Sequence, residues 1–302
     1  ILYPVAIFIG GPTASLKTKI ASELLAEIPS FIVNADSMQV YDQLKILTNR
    51  PKTSFLEKNR CYLFGFVKYP DSCNVGYWQK SSLSLLKKKD NNIPIFVGGT
   101  GLYIDSLINN LTNIPEIFSE VKKDIESSLK KFGINFLYKK LQNIDNLYAQ
   151  KISPNDKQRI VRAIEVKTST GKSILEWQKN SRKKIFKKIL YIVIKTDKEV
   201  LYSRINKRCQ EMINLGVVEE VNEFIKKKKG NFIHPLHKAI GLSIFENYLN
   251  GNLSKDDAIS LFMRDTRRYA KRQLTWFNNK ANDAIHLDIS EIRNYLARNL
   301  KL

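Results

Sequence analysis

Cysteine and histidine are scarce in this 302-residue sequence, three of each, and Cys61, Cys73 and Cys209 lie far apart with no C-x-x-C pair. That spacing excludes a disulfide framework and argues against a zinc site, and isolated thiols suit a reducing compartment. No stretch approaches the roughly 20 apolar residues that a membrane span needs, and the opening YPVAIFIGG carries neither a basic n-region nor a small-residue cleavage site. The expectation is a cytoplasmic, monomeric protein that makes no membrane contact. Acidic residues are also in short supply: 29 Asp and Glu against 50 Lys and Arg give a formal net charge of +21, which points to a polyanionic partner. Part of the excess sits in stretches such as KKKDNN and IKKKKGN, which read as solvated faces. The arginines at Arg159/Arg162, Arg204/Arg208 and Arg264 to Arg272 are more informative, because a rigid planar fork suits phosphate better than a lysine does.

Short, β-branched apolar runs at Val5 to Ile9, Phe31 to Val33, Ile95 to Val97 and Leu190 to Ile194 read as buried strands separated by helical patterns. Strands interleaved with helices predict an α/β fold, a parallel sheet with helices on its faces. Between the third and fourth runs no strand is legible. Ile117, Val121, Ile125 and Leu129 recur every four residues before Gly133, and Ile160, Ala163 and Ile164 mark a helix that Gly171 stops. The sequence therefore divides into a first core part at 1–107, an all-helical insertion at 108–186 and a second core part at 187–302.

The stretch GGPTASLKT departs by one residue from the phosphate-loop pattern G-x-x-x-x-G-K-[ST], with Leu16 in place of the glycine before Lys17. Following a strand and opening a helix, it predicts a P-loop NTPase-like core. Gly11, Pro12, Thr13, Ala14, Ser15, Leu16, Lys17 and Thr18 would then form the diphosphate-binding loop, the backbone N–H groups of Pro12's neighbours through Thr18 making an anion nest, with Lys17 on a terminal phosphate and Thr18 as a ligand to Mg2+. If Leu16 needs positive φ, its side chain costs about 1–2 kcal/mol; if it lies in the first helical turn, it costs only space. The second strand ends in Asn34-Ala35-Asp36-Ser37 and the third in Gly98-Gly99-Thr100, and in a parallel sheet these loops share the carboxyl edge with the phosphate loop. Asp36 there holds a metal, acts as a base, or caps a helix. Thr100 bonds substrate or caps the next helix. Arg204 and Arg208 share a helix face, one of them neutralising a departing phosphate or both forming an exposed stripe.

The segments GPTASxKT, NADSMQVY, PIFVGGTGLY, PNDKQRIVRAIEV, RINKRCQEM and DTRRYAKRQLTWF, in this order, resemble the tRNA dimethylallyltransferase (IPP transferase) family from about Ala6 to Phe277. The resemblance implies transfer of a dimethylallyl group from dimethylallyl diphosphate to the N6 amine of the adenosine 3′ of the anticodon in tRNA. It places Asp36 as the base, Thr100 as the residue orienting the reacting groups, and Arg208 with Lys17, the loop amides and Mg2+ on the departing diphosphate. It also implies tRNA contacts from Asp36, Ser37, Met38 and Gln39, from Gln158, Arg159, Ile160, Val161 and Arg162 in the insertion's hold on the anticodon arm, and from Arg267, Arg268, Lys271 and Arg272. Departures from the family pattern are Leu16, the stretch DQLKILTNRPK after Tyr41, the absence of a histidine pair in CYLFGFVKYP, and Leu242. Leu16 alone motivates a second reading, a tRNA-binding relative with impaired catalysis. A third, a small-molecule P-loop kinase, leaves the RNA-gripping motifs without a role.

Overall fold

The computed structural model describes residues 2–89, 92–112, 114–179, 183–227 and 234–300. They fall into two compact units, one of residues 1–109 with 184–302 and one of residues 110–183. The first opens with β1 (Tyr3–Gly10), α1 (Lys17–Leu24), β2 (Ser30–Asn34), α2 (Thr53–Lys58), β3 (Cys61–Tyr62), α3 (Val75–Lys88), β4 (Ile93–Gly98) and α4 (Gly101–Ile108). The second comprises α5 (Ser119–Ile144), α6 (Asn146–Ala149), α7 (Lys157–Thr170) and α8 (Ile174–Gln178). The chain then returns to the first unit through β5 (Phe186–Ile194), α9 (Lys198–Asn214), α10 (Val217–Lys227), a 3-10 turn (Pro235–Lys238), α11 (Leu242–Leu249), α12 (Lys255–Lys280), β6 (Ile285–Leu287) and α13 (Ile289–Leu300).

The six strands form one parallel sheet in the order β3-β2-β4-β1-β5-β6. Its central strands are apolar at nearly every position because both faces are covered. Ile7, Ile9, Ile32, Ile95 and Ile192 pack with Ile20, Leu24, Ile292 and Leu296 from α1 and α13. The alternate residues Phe8, Phe31, Val33, Phe96 and Val193 join a larger core with α3, α4, α9, α11 and α12. All four strands expected from the sequence are present, while β3 and β6, two and three residues long, go beyond that expectation. Register matters for the site: Gly10 pairs with Gly98 on one side and Val193 on the other, so β1, β4 and β5 end at one level.

In the second unit, Ile125, Leu137, Leu141, Ile160, Ala163 and Ile164 form a core of their own. The α5 run is broken at Gly133, whose φ of 75° and ψ of −178° belong to a region open essentially to glycine. The Asp156 side chain caps α7 by accepting from Arg159 N, and Gly171 at φ 70° ends it. No strand occurs among this unit's described residues, and no described helix is long and apolar enough to cross a membrane.

Candidate active site

The phosphate loop leaves β1 at Gly10 and turns into α1 with two non-glycine residues in left-handed conformation, Ala14 and Leu16, both at φ 64°. Leu16 is the residue before the first helical turn, so the position carries the positive-φ cost and not merely a loss of space. Ser15 is fully buried and its hydroxyl donates to Pro12 O at 2.8 Å, closing the loop on itself. The Lys17 ammonium donates to the same carbonyl at 2.5 Å. Burial lowers that ammonium to about 7; the charge of Asp36 opposes the shift and that of Arg208 adds to it. The first helical bond runs from Ile20 N to Leu16 O, so the amides of the preceding turn have no acceptor within α1 and face the anion role. Two amides counted toward that cradle serve otherwise: Thr13 N–H donates to the Gln273 side-chain carbonyl at 2.8 Å and Ser15 N–H to Pro12 O at 3.4 Å.

Asp36 does not cap a helix. Its Oδ1 accepts from Met38 N at 2.9 Å and Gln39 N at 3.4 Å in a tight turn, and Oδ2 has no hydrogen bond among the described residues. Asn34, fully buried, holds the turn from behind: its side chain accepts from Asp36 N at 3.0 Å and donates to Asp36 O and Leu63 O, while its carbonyl accepts from Trp78 Nε1. Thr100 does not cap α4 with its side chain either. Its Oγ1 accepts from Ser37 N at 2.9 Å and donates to Ser37 Oγ at 3.2 Å, and its own N–H donates to Ala35 O. The loops after β2 and β4 are therefore bonded to each other, and Gly98 lets them approach: a Cβ there would lie 2.0 Å from Ala35 O.

Arg208 on α9 reaches across to the phosphate loop, donating from Nη2 to Thr13 Oγ1 at 2.6 Å. Its Nε is buried with no partner, and burial lowers the guanidinium's pKa. Arg204, one turn earlier, likewise has a buried Nη1 without a partner. Unpaired buried donors of this kind carry a desolvation penalty of about 1–3 kcal/mol or more that an anion would remove. Two cavities flank this arginine. The larger, about 820 Å3, is lined by the phosphate loop and by Lys45, Arg50, Lys52, Arg204 and Lys207. The smaller, about 240 Å3, is lined by Met38, Leu47, Ile240, Phe262, Tyr269 and Arg272 among others. Thr13, Asp36, Gln39, Asn49, Arg208 and Met212 line both. Among the described residues no group of three His, Cys, Asp or Glu side chains offers a metal cage. The Thr18 hydroxyl and the Asp36 carboxylate in the cavity wall are hard oxygen donors that suit a divalent ion carried largely by phosphate oxygens.

The expected RNA-facing residues separate by environment. Gln158, Arg159 and Arg162 lie exposed on α7, with Val161 half-buried between them. Ile160 is 0% exposed within the unit's core, so its side chain packs and is not available to RNA. Arg159 and Arg162 are paired with Asp156 and Glu165. On α12, Arg268, Lys271 and Arg272 are exposed. Arg267 is not part of a free stripe: it donates to Asn206 Oδ1 at 2.6 Å and lies over the Tyr202 ring of α9. Gln39, expected at the RNA, donates its side-chain amide to Thr48 O and Asn49 O and so holds the loop that lines both cavities. One site residue has no counterpart among those expected from sequence: Gln273, buried on α12 and bonded to two site loops. It lies inside the segment DTRRYAKRQLTWF, where a neutral amide stands out less than the cations around it.

The model of the IPP transferase family matches residues 39–280. The tRNA dimethylallyltransferase of Pelagibacter ubique is 37% identical over 295 residues, covering 97% of this chain and 94% of the relative. That of Bartonella quintana is 40% identical over 280 residues, covering 91% and 94%. Among solved structures, the full-length tRNA isopentenylpyrophosphate transferase of Bacillus halodurans matches with a TM-score of 0.69 at 30% identity, covering 99% of this chain and 97% of that one. A eukaryotic dimethylallyltransferase acting on tRNA matches with a TM-score of 0.82 at 25% identity, covering 94% of this chain and 74% of that one. Nothing among these supports a kinase. Similarity that runs almost end to end means that the chain belongs to the IPP transferase family and prenylates tRNA.

Proposed function

We propose that dimethylallyl diphosphate occupies the larger cavity, that the adenosine 3′ of the anticodon enters the smaller one, and that they react at the wall formed by Thr13, Asp36 and Arg208. The observation that carries this reading is that wall, common to both cavities. An exocyclic adenine amine is a weak nucleophile and needs its proton removed as the N6–C bond forms. Asp36 Oδ2, unengaged by the turn that fixes Oδ1, takes that proton. As the allylic C–O bond breaks, its electrons pass to diphosphate, where Lys17, Arg208 and the first-turn amides of α1 stabilise them. Thr100, tied to the Asp36 turn through Ser37, fixes where the base stands. A divalent ion, Mg2+ in this reading, would be held by Thr18 and the diphosphate oxygens and would neutralise leaving-group charge.

To reach a cavity, the adenosine leaves its stack. Gln158, Arg159 and Arg162 of α7 with Val161, and Arg268, Lys271 and Arg272 of α12, supply contacts to the anticodon arm that hold the loop in that state. The test is mass spectrometry of an unmodified tRNA with an adenosine-rich anticodon loop, incubated with the protein, a divalent metal and dimethylallyl diphosphate. One added dimethylallyl group on that adenosine, lost in Asp36→Ala while tRNA affinity persists, is expected. Binding of tRNA with no added group would overturn this reading in favour of a tRNA-binding relative with impaired catalysis, the alternative that Leu16 at positive φ raises.

A further inference from the structure

We propose that Gln273 is a positioning residue for prenyl transfer, one side-chain amide that sets the spacing between the diphosphate half and the base half of the site; this rests on the reaction assigned above. Gln273 is 5% exposed on α12. Its Oε1 accepts from Thr13 N at 2.8 Å in the phosphate loop, and its Nε2 donates to Gly99 O at 3.0 Å in the loop after β4. Each of those loops carries one half of the chemistry. Thr13 Oγ1 is the acceptor that seats Arg208, and Gly99 precedes Thr100, which is bonded to the Asp36 turn through Ser37 N and Ala35 O.

No other described side chain bonds both loops directly. The parallel sheet brings β1 and β4 side by side and ends their pairing at Gly10 and Gly98; beyond that level the loops have no ladder between them, and the Gln273 amide is the bridge. A primary amide suits the task because it presents a donor and an acceptor at one end, matching one free amide and one free carbonyl. Glutamate would place a second acceptor against Gly99 O, and an apolar side chain would leave both backbone groups without this partner. Gly99 is fitted to the same contact, since a Cβ there would lie 2.0 Å from Gln273 Nε2. The clamp therefore consists of a glutamine and the glycine that makes room for it.

The role is tested by steady-state kinetics of Gln273→Met and Gly99→Ala with dimethylallyl diphosphate and tRNA. Misplacing reacting groups by about 1 Å costs on the order of 10²-fold in rate. The expectation for both variants is a loss of kcat of that order, with KM for dimethylallyl diphosphate within about threefold of wild type, because Lys17 and the first turn of α1 are untouched. Should Gln273→Met fail to fold, Gly99→Ala displaces only the flexible end of the glutamine and carries the same expectation. Combined with Thr13→Val, Gln273→Met should cost far less than the product of the two single losses, since both act through the seat of Arg208. A folded Gln273→Met or Gly99→Ala with wild-type kcat, or losses that multiply in the double variant, overturns the proposal. An inactive wild-type protein overturns the assigned reaction instead, and this inference with it.

Discussion

Leu16 is where residue chemistry and loop geometry disagree. At φ 64° and ψ 19° it pays the left-handed penalty of about 1–2 kcal/mol, with its side chain 38% exposed and only partial packing to offset it. Leu16→Gly removes that strain but frees the unfolded chain, which takes back about 0.5–1 kcal/mol. The expected net is a gain of up to about 1 kcal/mol, read as a rise of a few degrees in Tm, and tighter binding of inorganic diphosphate. An unchanged Tm would mean that the loop holds Leu16 without strain. The substitution was legible in the sequence; its φ was not, because that depends on how far the loop runs before α1 begins. Lys17 carries a second expectation. Its ammonium, lowered to about 7 by burial, regains charge when a diphosphate arrives, so the complex holds more protons than the free site. Diphosphate affinity should therefore fall as pH rises above about 7. Calorimetry in buffers of different ionisation enthalpy should show proton uptake near pH 8 that Lys17→Met abolishes, and equal uptake in both proteins would remove Lys17 as its source.

Helix α12 shows what periodicity tells and what it hides. The spacing of Phe262, Ala270 and Leu274 predicts its buried face; Phe262 and Ala270 are buried, as is Phe277, while Leu274 is half-buried. The opposite face read as one basic stripe, yet its members have different partners. Arg267 is committed to Asn206 and Tyr202 on α9, a contact that only the packing of two helices distant in sequence creates. Arg268 lies 3.7 Å from Asp265, one turn earlier on the same helix, and Lys271 is exposed. Arg267→Ala is expected to lower stability by about 1–2 kcal/mol through removal of the charged hydrogen bond and the ring contact, measured by denaturant unfolding. Arg268→Ala with Lys271→Ala should leave stability within about 0.5 kcal/mol while weakening tRNA binding. If the double variant destabilises and Arg267→Ala does not, the division of the stripe is wrong. Gln273, on the same helix, was illegible for a related reason: a neutral amide gives no charge signal, and its value lies in loops more than 170 residues away.

At the scale of the whole molecule, the net charge of +21 names the class of partner but not the number of phosphates engaged. The alternation of strands and helices conveyed the sheet, because buried parallel strands are continuous apolar runs, whereas β3 and β6 are too short to carry any pattern. Charge has no comparable filter: a lysine on a solvated face and one on a phosphate look alike in sequence. The structure offers a distinction, since Arg159, Arg162, Arg268, Lys271 and Arg272 cluster on two helices, while Lys87 and Lys88 end α3 at exposed positions. If about four of the clustered cations neutralise phosphates, tRNA affinity should fall on the order of 10²-fold between 50 and 200 mM salt. Arg268→Ala with Lys271→Ala should lower the slope of log Kd against log salt by nearly one for each phosphate that goes unneutralised. Lys87→Gln with Lys88→Gln should leave it unaltered, since a solvated lysine releases no counterion on binding. A reduced slope in the α3 variant would make the lysine runs part of the RNA surface, and the charge of this chain would then be a binding feature along its length instead of a property of two helices.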